Sequence, residues 1–400
     1  MRALLRALTL AAAAALAGCD GDFDPESLVN DFRVLGLRAQ PADLRPGETA
    51  TLEALVADPS RPAQTSLVAW LACDPDPANL ERSTCTNTES LKTVLDPFSA
   101  AATLPPGIRA LGVSGGAPVV YTAPADLYAT LPADDPRRQS GSVAQILAYA
   151  AAEDPAILNT DEGRSSVAAR VQAGTLPAIL SLFRIRVSED PQVNQNPLLG
   201  SFAADGVELP SEFIWRLPPG ANPVLSLAYP PEAFESYSQA TPTGVEAKTE
   251  RLIAAYYVTE GEFAEDRIAS GSDTEQRYLA PQLGEAGARE GRLWVVVRDT
   301  RGGATWLERR LFFCDPSLPA PSVTALQGRE QGEEQVLSLS GSELIQVLEV
   351  TVGGQVLTGL TVTDTQIEGR LPSLPPGDYP VVVRARNCGD VAAPEPYRAP

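Results

Sequence analysis

The chain has 400 residues, with 51 acidic against 31 basic side chains, a formal net charge of −20 and a hydrophobic fraction of 44%. Such a surface repels phosphate backbones and anionic headgroups, which excludes nucleic acid as a partner. Histidine is absent; this excludes a histidine base beside a serine or cysteine nucleophile, and every His-ligated metal site.

The amino terminus reads MRALLRALTLAAAAALAG. Arg2 and Arg6 precede an apolar run over residues 7–18, shorter than the roughly 20 residues that span a bilayer. The segment 1–18 therefore reads as a signal peptide and not as a membrane span. The residues that follow, Leu16-Ala17-Gly18-Cys19, resemble the bacterial lipobox at every position. The resemblance implies cleavage before Cys19 and acylation of its thiol and of the new amino group. A single acyl chain binds membranes only marginally, whereas several hold. Residues 19–30 then read as an acidic, solvated tether. Asp20, Asp22 and Asp24 alternate as in calcium loops, but the downstream bidentate glutamate of such a loop is missing.

Five cysteines are present. Assigning Cys19 to lipid leaves an even number, and export implies an oxidising compartment. The expected bridges are Cys73–Cys85 and Cys314–Cys388, worth about 3 kcal/mol for the shorter loop and more for the longer. No CxxC spacing supports zinc or dithiol redox chemistry instead.

With 36 Pro and 31 Gly, turns are frequent and long helices few, and Val/Leu/Thr runs between turn signals predict an all-β chain. In 31–190, DFRVLGLRAQPADLRPGETATLEALVADP predicts paired strands around a turn at Arg45-Pro46-Gly47-Glu48. SLVAWLACDP is a third strand, with Trp70 as a core residue, and PVVYTAPADL another. SGSVAQILAYAAAEDP, from Ser140, is the one clear helical stretch, capped by Ser142 and ended by Pro155. With the Ala/Val-rich piece at 165–173 it forms a small helical insertion at about 130–178, before ILSLFRIRVSED returns to strand. The Pro-Gly-Glu hairpin followed by alternating Leu/Val resembles bacterial Ig-like surface modules.

Residues 191–315 form a second unit. Its GRLWVVVRDTRGGATWLERRLFFC predicts a long hairpin turning at Gly302-Gly303, with Arg298 and Asp299 as a surface pair. This resembles the closing strands of Ig-like or polycystic-kidney-disease-like repeats, and Asp299 as a calcium ligand between repeats is the minor alternative. In 316–400, LSLSGSEL, VTVGGQ, TDTQIEGRLP and PPGDYPVVVRA together resemble an IPT/TIG domain, itself an Ig-like fold. Leu344 stands where phenylalanine is common. The architecture expected is all-β: tandem Ig-like β-sandwiches with a small helical insertion in the first.

No nucleophile–base pair, Walker loop, dinucleotide glycine pattern or metal cluster is spelled out. GVSGG at 112–116 lacks both the spacing and the partner of a serine elbow. The sequence therefore predicts no enzyme, catalytic residue, metal ligand or cofactor. It predicts a protein held in the cell envelope by lipid on Cys19, at the outer membrane or the periplasmic face of the inner membrane. Its Ig-like domains would bind or scaffold an envelope protein or a polysaccharide. Two alternatives stand beside this: a carboxylate-based hydrolase with Ig-like accessory modules, and a calcium-stabilised surface module.

Overall fold

The computed structural model describes residues 25–399 except 63, 86–103, 105–106, 115–117, 242–243, 273–274, 285–286 and 332–333. Cys19, the leader before it and the first part of the tether lie outside the described residues. The described residues fold into a series of sheets, antiparallel except where the strand Ile214–Leu217 joins Ala304–Phe313 in parallel, the all-β sandwich architecture expected.

The first sandwich comprises β1 (Arg33–Gln40), β2 (Thr49–Ala57), β3 (Leu67–Cys73), β4 (Pro75–Asp76), β5 (Asn79–Ser83), β6 (Ile108–Val113), β7 (Val119–Thr122), β8 (Ser142–Ala151) and β9 (Ala178–Val187). One sheet runs β1-β2-β7 and the other β6-β3-β8-β9. The β1–β2 connection includes the Arg45–Glu48 turn, where the Glu48 N–H donates to the Arg45 carbonyl at 3.0 Å. Trp70 is fully buried between the sheets. Its indole N–H donates to the Ser114 hydroxyl at 2.8 Å, which satisfies the polar atom that burial would otherwise strand.

The stretch from Ser142 is a strand and not the expected helix. Ala144, Ile146, Ala148 and Ala150 of β8 enter the inter-sheet core. Leu147, Tyr149 and Ala151 are equally buried on the opposite face. A strand covered on both sides reads as one continuous apolar run, and periodicity cannot separate that from a buried helix. The alanine-rich composition favours helix locally, but pairing with both β3 and β9 overrides it. The helical insertion is smaller: α1 (Pro136–Ser140) and α2 (Asp161–Gln172). Thr160 caps α2 by accepting the Gly163 N–H at 3.0 Å, and Val167 packs on Leu67, Ala69 and Tyr149.

The second sandwich holds β10 (Phe202–Ala204), β11 (Val207–Glu208), β12 (Ile214–Leu217), β13 (Val224–Leu227), β14 (Ser236–Thr241) and β15 (Gly244–Thr249). It continues with β16 (Ile253–Val258), β17 (Glu262–Phe263), β18 (Arg267–Ala269), β19 (Gln276–Leu279), β20 (Arg289–Arg298) and β21 (Ala304–Phe313). Its sheets are β11-β10-β13-β19-β17 and β12-β21-β20-β16-β18, with β14-β15 as a separate hairpin. The third holds β22 (Ser322–Gln331), β23 (Glu334–Ser342), β24 (Val347–Val352), β25 (Gln355–Val356), β26 (Thr358–Val362), β27 (Gln366–Pro372), β28 (Gly377–Tyr379), β29 (Val381–Ala385), β30 (Asp390–Ala392) and β31 (Tyr397–Ala399). Its four-stranded sheets, β22-β23-β27-β26 and β25-β24-β29-β30, enclose a core that includes Leu344.

The first two sandwiches are fused face to face. Leu35, Leu55 and Ala57 point away from their own core and pack on Ala255, Tyr257, Trp294, Val296 and Trp306 of the second sandwich. Gly36 permits the approach: a Cβ there would sit 3.2 Å from the Trp306 ring. The Arg38 guanidinium lies 4.2 Å from the same ring centroid, and Arg298 donates to the Leu35 carbonyl at 2.7 Å. The tether ends earlier than its acidity suggests. Ser27 and Val29 are buried and exchange backbone hydrogen bonds with Val258 at 2.9 and 2.8 Å, so the chain joins the second sandwich before it enters the first.

Gly36→Leu should force this interface apart while leaving each core intact, at a cost of about 1–3 kcal/mol. The expected outcome is a red shift of tryptophan emission, from Trp294 and Trp306, with the far-ultraviolet circular dichroism retained. An unchanged emission spectrum would contradict the fused packing.

Candidate functional site

Two joints concentrate the polar chemistry of the molecule. The first lies at the end of the interface between sandwiches one and two. Arg301, in the β20–β21 turn, is largely buried and faces Asp43 at 3.8 Å, Glu235 at 3.3 Å and Glu250 at 3.4 Å. Its guanidinium lies 4.9 Å from the Tyr237 ring centroid. Arg186 reaches Asp43 at 3.4 Å and Asp190 at 2.9 Å. Asp299 is buried here, not part of a surface pair with Arg298. One of its oxygens accepts the N–H groups of Arg301, Gly302 and Gly303 at 2.7, 2.7 and 2.9 Å, and the other accepts from Asn194 at 3.2 Å. The carboxylate is thus the internal cap of the turn. Gly303 is required because a Cβ would fall 2.2 Å from that carboxylate. Among the described residues no group of acidic or cysteine side chains is arranged to hold a metal ion.

Burial pushes the Asp43 carboxyl up from 3.8 to about 6, against the pull of Arg186 and Arg301. Burial, then the neighbouring Asp299 and Glu235, pushes Glu250 up to about 7. Asp299 is raised as well, again chiefly by burial. Asp43 and Glu250 are engaged with guanidinium groups at the seam, Asp299 with the backbone of its own turn, and Glu250 also lines a pocket of about 360 Å³ with Glu232 and Glu235.

The second joint lies between sandwiches two and three. The structure bonds Cys314, at the end of β21, to Cys388, just as it bonds Cys73 to Cys85 in the first sandwich. Around the Cys314–Cys388 bridge, Ile214 and Phe312 pack with Leu348, and the Asp315 N–H donates to the Arg386 carbonyl at 3.0 Å. Glu349, buried, accepts from the Ile214 N–H at 3.1 Å and from Arg384 at 2.7 Å. Arg216 donates to the Gly389 carbonyl at 2.8 Å and pairs with Asp390.

These contacts hold open a groove of about 830 Å³, lined on one side by the β10–β11 hairpin and β12, and on the other by Thr351, Val382, Arg384 and Asp390. Phe213 and Trp215 supply aromatic surface, both half-buried. Trp215 packs against the second core and against Tyr278, and Arg384 stands 5.5 Å from the Phe213 centroid. Arg216, Arg309 and Arg384 line the groove together with the carboxylates Asp205, Glu208 and Asp390, so its charge is mixed in an otherwise strongly acidic protein. In the stretch SEFIWRLPPG the alternating aromatics Phe213 and Trp215, followed by Arg216, are the local signal of this wall. The groove itself has no sequence signal, because its two walls are more than a hundred residues apart.

The family model for the IPT/TIG domain matches residues 321–397, so the third sandwich is a C-terminal IPT/TIG domain. No curated protein matches the chain. Among solved structures, the Salmonella enterica SafA pilin in complex with the SafB chaperone is 14% identical, over 50% of this chain and 97% of that one, with a TM-score of 0.26. The E. coli chaperone DraB is 12% identical over 51% of this chain and 100% of its own, at 0.25. Bacteroides ovatus SGBP-B from a mixed-linkage glucan utilization locus, in complex with a mixed-linkage heptasaccharide, is 15% identical over 50% of this chain and 62% of its own, at 0.17. Scores this low assign no function.

The raised carboxyls at the first joint set a pH dependence. A carboxyl whose folded-state value is raised stabilises the fold fully below its unfolded value, and that contribution is lost as pH rises through the folded value. For Asp43 the window is 3.8 to about 6, worth roughly 3 kcal/mol; for Glu250 it is 4.5 to about 7. The lowered carboxyls Asp58 and Asp190, held down by hydrogen bonds and arginine against the effect of burial, act only at lower pH. The urea midpoint should therefore fall between pH 5 and pH 8, and Asp43→Asn should flatten part of that slope. Equal slopes in both proteins would show that Asp43 does not titrate in this range.

Proposed function

We propose that this chain is a non-enzymatic binding protein of a bacterial cell envelope, anchored by lipid on Cys19 and presenting its groove to an envelope partner. The groove between the second sandwich and the IPT/TIG domain is the observation that carries the reading. It is preformed, because a disulfide, the Glu349 bridge and the Arg216 contacts fix both walls. It combines aromatic surface with a few placed charges, which is the usual make-up of a ligand site at a domain interface. The raised carboxyls Asp43 and Glu250 are paired with Arg301 and Arg186, and Asp299 caps its own turn; none of them lines this groove, which favours binding over carboxylate catalysis there. The anchor rests on the leader and on Leu16-Ala17-Gly18-Cys19. Ser27 and Val29 bond to Val258 of β16, so a tether running from Cys19 would enter the fold at the second sandwich, the unit that also forms one wall of the groove.

Cys19→Ala should leave the precursor uncleaved by the lipoprotein peptidase and free of acyl label in cells fed a palmitate analogue. A mature, membrane-bound mutant would refute the anchor. Crosslinking from intact cells through a photoreactive residue at Val207, exposed at the groove's edge, should capture an envelope component that the same label at a distant site does not.

A further inference from the structure

We infer that the groove between the second sandwich and the IPT/TIG domain takes a carboxylate-bearing saccharide, a strand of uronic-acid type; this rests on the reading of the groove as the binding site. Three features of the groove support it, beginning with Arg309. Its guanidinium donates to the carbonyls of Leu209 and Glu308, yet it forms no ion pair with any described residue. Glu208 and Glu212 act on it only through space, and burial is the main influence, lowering its value. A half-buried arginine without a carboxylate gains from an anion brought to it, because charge-assisted hydrogen bonds are strongest where water is partly excluded.

A pair of crowded guanidinium groups stands on the same groove. Arg216, 9% exposed, is destabilised in its charged form by burial and then by the positive charge of Arg384. Its buried Nε has no hydrogen-bond partner among the described residues. Asp390 and Glu349 pair with one guanidinium each, which leaves Arg309 as the groove arginine without an ion pair among the described residues; Asp205 and Glu208 line the same groove and bias it against any anion that does not reach Arg309 directly. Phe213 and Trp215 line the same space, and an aromatic face next to a guanidinium suits a sugar ring that carries a carboxylate.

The groove is not built for a peptide strand. β12 is an edge strand, but the N–H of Ile214 is already capped by the Glu349 carboxylate, and Arg216 spans the gap to the carbonyl of Gly389. Strand addition needs a free ladder of backbone groups, and here its first N–H is taken and the Arg216 side chain crosses the edge. Recognition is left to side chains. The net charge of −20 does not forbid an acidic ligand: at physiological ionic strength charges beyond about 8 Å are screened, whereas contact with Arg309 is not.

The test is calorimetric titration of the full chain, in detergent and in about 0.15 M salt, with tetragalacturonate, its carboxyl-reduced neutral counterpart, and tetraglutamate. The expected result is that tetragalacturonate binds about tenfold or more tighter than either control. Arg309→Gln should erase most of that preference, Arg309→Lys should retain part of it, and Trp215→Ala should weaken both saccharides, with circular dichroism confirming each fold. Equal binding of the neutral saccharide would overturn the acidic assignment while leaving the groove as a glycan site. Tetraglutamate binding as well as the sugar would overturn ring recognition. Binding of none of the three would overturn the saccharide inference; the groove reading itself then stands or falls by the crosslink from Val207.

Discussion

The sheet β1-β2-β7 is apolar on both faces, and the arrangement of the molecule follows from that constraint. One face closes the first core with Leu52, Tyr121 and Ala50. The other presents Leu35, Leu55 and Ala57, which would be exposed in an isolated sandwich; the second sandwich covers them with Trp294, Val296 and Tyr257. Burying a large apolar side chain is worth about 1.5–3 kcal/mol, so a handful of such contacts outweighs the freedom of a hinged linker. Gly36 is where this tightness is visible in a single residue, because any side chain there would meet Trp306.

Polar contacts then set the register that apolar burial leaves open. At the first joint the Asp299-capped turn delivers Arg301 to carboxylates from both sandwiches. Asn196 bridges the same seam, donating to the Ala39 carbonyl and accepting from Ala304. Buried charge pairs add little net stability, but breaking one is costly, so they specify a geometry more than they strengthen it. At the second joint the disulfide and Glu349 do the equivalent work, and the groove is the space these fastenings leave between the two sandwiches.

Much of this was legible in the sequence wherever the signal is local. The Pro46-Gly47 turn, the Val352-Gly353-Gly354-Gln355 hairpin with its register across the glycines, and the long β20–β21 pair each carry their own turn chemistry. Leu344 fills the core position of the third sandwich despite its departure from the usual phenylalanine. What was lost is non-local. β8 looked helical because neither of its faces is polar, and only its neighbours say that it is a strand. Asp299 looked like a surface residue because nothing nearby in sequence shows its carboxylate turning inward. Asp43 and Arg301 come together across more than 250 residues, and no spacing rule connects them. The doubled apolar face of β1 and β2 was present in the run RVLGLRAQ–TLEALVA, where apolar residues occupy both strand registers.

Packed on a shared apolar face, the first two sandwiches form one rigid unit instead of beads on a tether. Pulsed electron–electron resonance between spin labels at Thr130 and Ala264, both exposed, measures it directly. The shared apolar face predicts a single narrow distance distribution that does not change on raising the temperature within the folded range. A broad distribution, or one that widens on warming while both cores stay folded, would contradict it.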